Sequence, residues 1–159
     1  MITSFLYKKG GQLETSISRA SMLAAIQDKG ARLWVDFEDA NDFEEEALVE
    51  IFNFHPLAVE DCVIDNPQPK VEDYGEYLFL VVHALARNEK PSHVHRHHKE
   101  AELATGELNI FIGSNYIVTF HDKPIPGLAQ GRDLVQKKAP ALMGGTSDIL
   151  AHSLLDHLV

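Results

Sequence analysis

The sequence predicts an α/β fold: a mixed β-sheet with helices packed on its faces. Three observations carry this prediction. The 159 residues suit one domain, spanning 1–159, able to bury roughly 70% of its unfolded surface without a staple. Short β-branched and aromatic runs alternate with stretches whose apolar residues recur at three-to-four spacing. Residues 71–86 hold a near-continuous apolar run over 77–82, which implies cover on both sides and predicts a central strand. The expected order of elements is β-β-α-β-α-α-β-β-β-α-α, which a mixed sheet with flanking helices accommodates.

Taken in order, residues 2–7 (ITSFLY) form a strand, Lys8, Lys9, Gly10 and Gly11 a turn, and 13–17 a short hairpin partner. Residues 18–29 predict a helix with Met22, Leu23 and Ile26 on one side, ended by Gly30. Residues 31–37 (ARLWVDF) predict a strand with Trp34 as a core or rim aromatic. Asn41 or Asp42 can cap the next helix, and Glu44, Glu45 and Glu46 favour its first turn. Phe43, Ala47, Leu48, Ile51 and Phe52 make its apolar face. Pro56 opens another helix, with apolar contacts from Leu57, Val59 and Val63, which Pro67 and Pro69 end. One long strand is expected over 71–86, then a polar loop over 87–99. A strand through 103–112, a turn at Gly113, Ser114 and Asn115, and a return strand over 116–120 make a hairpin. Residues 128–139 predict a basic helix broken at Pro140. Thr146 or Ser147 caps a last helix whose ridge is Leu150, Leu154 and Leu158. That ridge runs to Val159 without a stop signal, so the chain reads as a fragment of something longer.

Composition narrows the function. A net charge of −10 disfavours nucleic acid as a partner. Eight acids and no base fall within residues 36–50, whereas 123–138 hold four bases and one acid. The first run is foremost a solvated helix face. Cys62 is the one cysteine, so no internal disulfide forms, and a partly buried thiol is expected. No basic-then-apolar signal segment opens the chain. The nine residues of the run at 78–86 are too few to cross a bilayer as a helix.

No phosphate-cradling glycine motif, HExxH pair or serine elbow is present, and no enzyme is predicted. His93, His95, His97 and His98 are the most conspicuous cluster. The first three share a side if extended and could hold zinc, nickel or copper, although a loop offers no rigid frame. Glu60 and Asp61 are adjacent and diverge around their helix, so they form no tight pair. Carboxylates such as these suit a hard ion that keeps its waters, Mg²⁺ above all, bound weakly at a junction.

A longer pattern then emerges. Trp34, Val35 and Asp36; His55, Pro56 and Leu57; Glu60 and Asp61; Gln68, Pro69, Lys70, Val71 and Glu72; Tyr74; and Tyr77, Leu78 and Phe79 stand together with the hairpin ending in Ile117, Val118, Thr119 and Phe120 and a helix containing Ser153, Leu154, Leu155 and Asp156. This resembles the N-terminal cytoplasmic domain of CorA-type magnesium/cobalt transporters over nearly the whole chain. The resemblance implies a three-layer α/β/α fold whose last helix leads towards a stalk. It implies a homopentamer in the full-length protein, attached at the cytoplasmic face of the membrane through C-terminal helices absent from this sequence; alone, the domain could be monomeric or dimeric. It also implies regulatory Mg²⁺ (or Co²⁺) between neighbouring domains, with Asp61 as the carboxylate most tied to that site and Glu60 and Asp156 as its acidic neighbours. The histidines at 93–98 depart from the magnesium pattern and leave a zinc-transporting relative open. A stand-alone metal-binding domain or hydrolase is a further alternative, and would need a rigid ligand cluster in a cleft.

Overall fold

The computed structural model describes residues 1–64, 68–87 and 104–158. Its strands are β1 (Ile2–Lys8), β2 (Glu14–Thr15), β3 (Ala31–Glu38), β4 (Lys70–Asp73), β5 (Tyr77–Ala86), β6 (Ala104–Gly113) and β7 (Tyr116–His121). The helices are α1 (Arg19–Gln27), α2 (Asp42–Glu50), α3 (Pro56–Val63), α4 (Pro126–Met143) and α5 (Ser147–Asp156). The strands form one sheet in the order β2-β1-β3-β7-β6-β5-β4. Neighbours are antiparallel except β3 and β7, which run parallel and join the two halves of the chain.

Strand alternation sends side chains to two cores. On one face Val35, Phe37, Phe79, Phe111, Val118 and Phe120 pack against α1, α2 and α3 through Met22, Ala25, Leu48, Ala58 and Cys62. On the other, Trp34, Ile110 and Ile117 pack against α4 and α5 through Leu128, Val135, Leu150 and Leu154. Two dry layers around one sheet make the α/β/α sandwich that the resemblance implies. Trp34 is fully buried and stacks on Phe5 at 5.2 Å.

Helix starts follow capping chemistry. Ser18 Oγ accepts from Ser21 N–H for α1. Asn41 and Glu44 form a reciprocal capping box for α2, at 2.9 and 3.1 Å. His55 Nδ1 accepts from Leu57 N–H at the start of α3.

The structure corrects several expectations. The single strand over 71–86 is two, because Gly75 takes φ +85° and its N–H is held by Asp73 Oδ1 at 2.8 Å. This turn folds β4 back on β5. That segment is also not central: β5 lies one strand from the edge, so Leu78 is exposed. On α1 the buried pair is Met22 and Ala25, with Leu23 exposed; on α3 it is Ala58 and Cys62, with Leu57 and Val63 exposed. Phe43 is not part of the buried α2 face but exposed, with the Arg19 guanidinium over its ring at 4.1 Å. The break expected at Pro140 falls two residues earlier: α4 is two helical stretches joined at a kink at Lys138, and the second carries Pro140 and ends at Met143. The expected second strand shrinks to Glu14–Thr15. Cys62 is more deeply buried than expected.

Candidate functional site

Two polar clusters stand out. The first joins α3 to the β4–β5 hairpin. Lys70, at the start of β4, donates to Asp61 Oδ2 and, at 3.1 Å, to Glu72 Oε1. Tyr74 Oη donates to Glu72 Oε2 at 2.8 Å, and its ring lies 5.3 Å from that of His55. Tyr77 Oη accepts from His55 N–H at 2.8 Å. The motif residues His55, Asp61, Lys70, Glu72, Tyr74 and Tyr77 thus form one connected patch. The hydrogen bond to Asp61 is the main cause holding the Lys70 ammonium above its ordinary range. The Tyr74 hydroxyl, followed by Lys70, lowers the Glu72 carboxyl. Burial, then the bond to Glu72, pushes Tyr74 up to about 12.

The second cluster is buried between the sheet and α4. Parallel pairing sets Asp36 beside Thr119 and Glu38 beside His121. Thr119 Oγ1 accepts from Trp34 Nε1 at 3.1 Å and donates to Asp36 Oδ1. His121 Nε2 lies 3.1 Å from Asp36 Oδ1, and Arg132 from α4 donates to Asp36 Oδ2 at 2.5 Å. His121 Nδ1 lies 2.7 Å from the Lys123 carbonyl, which can only accept. Facing a carbonyl on one side and a carboxylate on the other, His121 satisfies both as the doubly protonated imidazolium. Burial opposes that charge, but the hydrogen bond and charge of Asp36 outweigh it and raise the imidazole above 6.5.

Among the described residues, one set of three ligand-bearing side chains, Asp36, Glu38 and His121, brings its ligand atoms within 4.8 Å of one another. It does not suit a metal. Asp36 is already shared by Thr119, His121 and Arg132, and a protonated His121 offers no lone pair. The cluster is a structural charge network. Its sequence signal was an Asp at an inward position of an apolar strand (WVDF) and a His ending another (VTFH).

The three acids singled out from the sequence do not meet within one chain. Glu60 and Asp61 sit on α3, on one face of the sheet. Asp156 sits at the end of α5, on the other, exposed and 3.2 Å from His152 Nδ1. Glu60 is exposed, whereas the Asp61 side chain is three-quarters covered. His93, His95, His97 and His98 lie outside the described residues. No described helix is long and apolar enough to cross a membrane.

Comparison with known proteins agrees with this architecture. YfjQ of Bacillus subtilis (strain 168), named as a candidate metal ion transporter, is 37% identical over 126 residues, covering 79% of this chain and 35% of its own length. The cobalt/magnesium transport protein CorA of Thermotoga maritima is 26% identical over 110 residues, 69% of this chain and 29% of that protein. This chain therefore spans about a third of these relatives. The soluble domain of CorA from Methanocaldococcus jannaschii superposes with a TM-score of 0.67 at 18% identity, over 98% of this chain and 55% of that one, a likeness of fold. Residues 29–159 match the family described as CorA-like Mg²⁺ transporter protein. From Lys29, in the turn before β3, through α5 to residue 159, then, this chain belongs to the CorA-like family.

Proposed function

We propose that residues 1–159 form one cytoplasmic domain of a divalent-cation transporter, which senses Mg²⁺ at contacts between copies and gates transport. Co²⁺ or Zn²⁺ could occupy the same oxygens more weakly or more tightly according to their ligand preferences. In this reading the protein is no enzyme. It assembles as a homopentamer and is held at the membrane by helices outside this sequence.

Family membership supports the ion class. One observation carries the site: Glu60 and Asp61 lie on the opposite side of the sheet from Asp156. Acids so placed can share an ion only when two copies bring unlike faces together. Lys70 sets the threshold, because its ammonium occupies Asp61 Oδ2 and a cation must compete with it. Such a site is weak and keeps most of the ion's waters, which suits sensing at millimolar concentration.

The test uses the full-length protein that carries this domain. Mg²⁺ titration protects the wild type from limited proteolysis, and Asp61→Asn shifts the midpoint upward by about tenfold, the loss of one charged ligand contact of ~1.4 kcal/mol. Lys70→Met shifts it downward. A protease pattern indifferent to Mg²⁺, or equal midpoints in all three proteins, overturns the proposal.

A further inference from the structure

The buried network around Asp36 has one link at the surface. Asp36 and His121 are each 1% exposed, on the adjacent strands β3 and β7. Lys123, whose carbonyl stands 2.7 Å from His121 Nδ1, is exposed. It belongs to the connector 122–125, which leads from β7 into α4. Two further contacts seat this connector. Its Pro124 carbonyl accepts from Arg87 N–H at 3.0 Å. The Lys123 stem passes 3.7 Å from where a Cβ on Gly106 would stand. So seated, Asp122 and Lys123 border a cleft of about 330 Å³ that His121 and, from β5 and β6, His83 and Glu107 also line.

Both neighbours of the His121 ring only accept. A carbonyl faces Nδ1 and a carboxylate faces Nε2, and an imidazole meets two acceptors only with a proton on each nitrogen. When one proton leaves, one of the two contacts sets lone pair against lone pair. Charge and burial decide which. The carboxylate is charged, so its hydrogen bond is the stronger and a bare nitrogen facing it is the more unfavourable. Asp36 is also held by Thr119 and Arg132, whereas the connector is exposed at Asp122 and Lys123. The remaining proton therefore stays on Nε2, and the Lys123 carbonyl is the contact that yields.

The surrounding charges favour the protonated ring. Asp36, then Glu38, both on β3, hold the imidazolium against the opposing effect of burial. Asp122, Glu107 and Lys123 line the cleft beside the ring, the Arg132 guanidinium is engaged with Asp36 Oδ2, and burial pushes the Cys62 thiol far up, so that it stays neutral. His83 is the second imidazole at the cleft.

We infer that His121 is a proton-operated latch: its doubly protonated ring holds the connector 122–125 by the Lys123 carbonyl, and loss of the Nδ1 proton to solvent releases the connector at the rim of the cleft. The latch is closed below the raised folded-state value of His121 and opens as pH rises through it. The β3–β7 ladder and the pairing of Asp36 with Arg132 persist in both states. None of the acids of the interfacial reading takes part, so either proposal can fail alone.

The test is NMR on the ¹⁵N-labelled chain between about pH 6 and 9. Imidazole ¹⁵N shifts show protons on both His121 nitrogens at the acid end and a bare Nδ1 at the alkaline end. Through the same midpoint the Arg87 amide, which reports on the Pro124 carbonyl, loses protection from hydrogen exchange by about fivefold after correction for base catalysis, the worth of one hydrogen bond. The Asp39 amide, bonded to the His121 carbonyl, keeps its protection. His121→Gln removes the transition, and His83→Gln leaves it unchanged. The inference is overturned by a single proton on the ring throughout, by a bare Nε2 in place of Nδ1, or by an Arg87 amide indifferent to the His121 midpoint. A transition that survives His121→Gln, or that His83→Gln abolishes, overturns it as well. Should His121→Gln fail to fold, the wild-type shifts and exchange rates decide alone.

Discussion

Asp36 is a carboxylate in the middle of an apolar strand, 1% exposed. It is tolerated because Thr119, His121 and Arg132 together meet both of its oxygens. Removing one member strands the rest. Asp36→Asn leaves an imidazolium and a guanidinium without their anion and lowers unfolding free energy by about 3 kcal/mol, read from the urea midpoint. Arg132→Met costs less, about 1–2 kcal/mol, because Asp36 keeps two donors and the Arg132 side chain is 22% exposed. The network also makes stability depend on pH. The folded-state value of His121 is raised above 6.5. Its contribution is therefore complete below pH 6.5 and fades as pH rises through the folded value. Urea midpoints taken between pH 6 and 9 show this decline in the wild type and a flatter profile in His121→Gln. At this scale the sequence misleads: Asp36 counts within an acidic run that reads as a solvated helix face and His121 falls beyond the expected return strand, yet both are buried strand residues. His121 and Arg132 lie 85 and 96 positions from Asp36, and periodicity reports which way a side chain faces, not what it meets.

Elements were more legible than sites. Helix α2 starts at Asn41, one of its two candidate caps, and α3 at Pro56, and β3, β6 and β7 fall on their β-branched and aromatic runs. The β4–β5 turn escaped notice because the aromatic run on both sides of Gly75 reads as uninterrupted. Ala at Gly75 meets no atom within 4 Å, so its cost is the positive φ alone, about 1 kcal/mol. Gly127 differs in kind. A Cβ there collides with the His157 carbonyl, at the place where α4 meets the end of α5. Gly127→Ala costs about 1–3 kcal/mol by overpacking, and exceeds Gly75→Ala in a thermal or urea comparison. The depth of β5 in the sheet was misjudged for a similar reason: hydrophobicity reports cover, not the number of strands lying outside.

Across the whole molecule, the sandwich follows from two apolar faces on one sheet, and the family resemblance correctly named its layers. The candidate interfacial acids were legible only through that resemblance; their own spacing says nothing about a shared ion. What neither composition nor motif announced is how the halves are sewn together. The parallel ladder from β3 to β7 spans roughly half the chain. During synthesis β3 must wait, with its inner edge bare, until residues 116–121 have left the ribosome. Loop-closure entropy makes such a late, distant pairing slow. A nascent chain stalled before Tyr116 therefore presents a long hydrophobic strand edge to its neighbours, and chaperone dependence of this protein should be greatest in that interval.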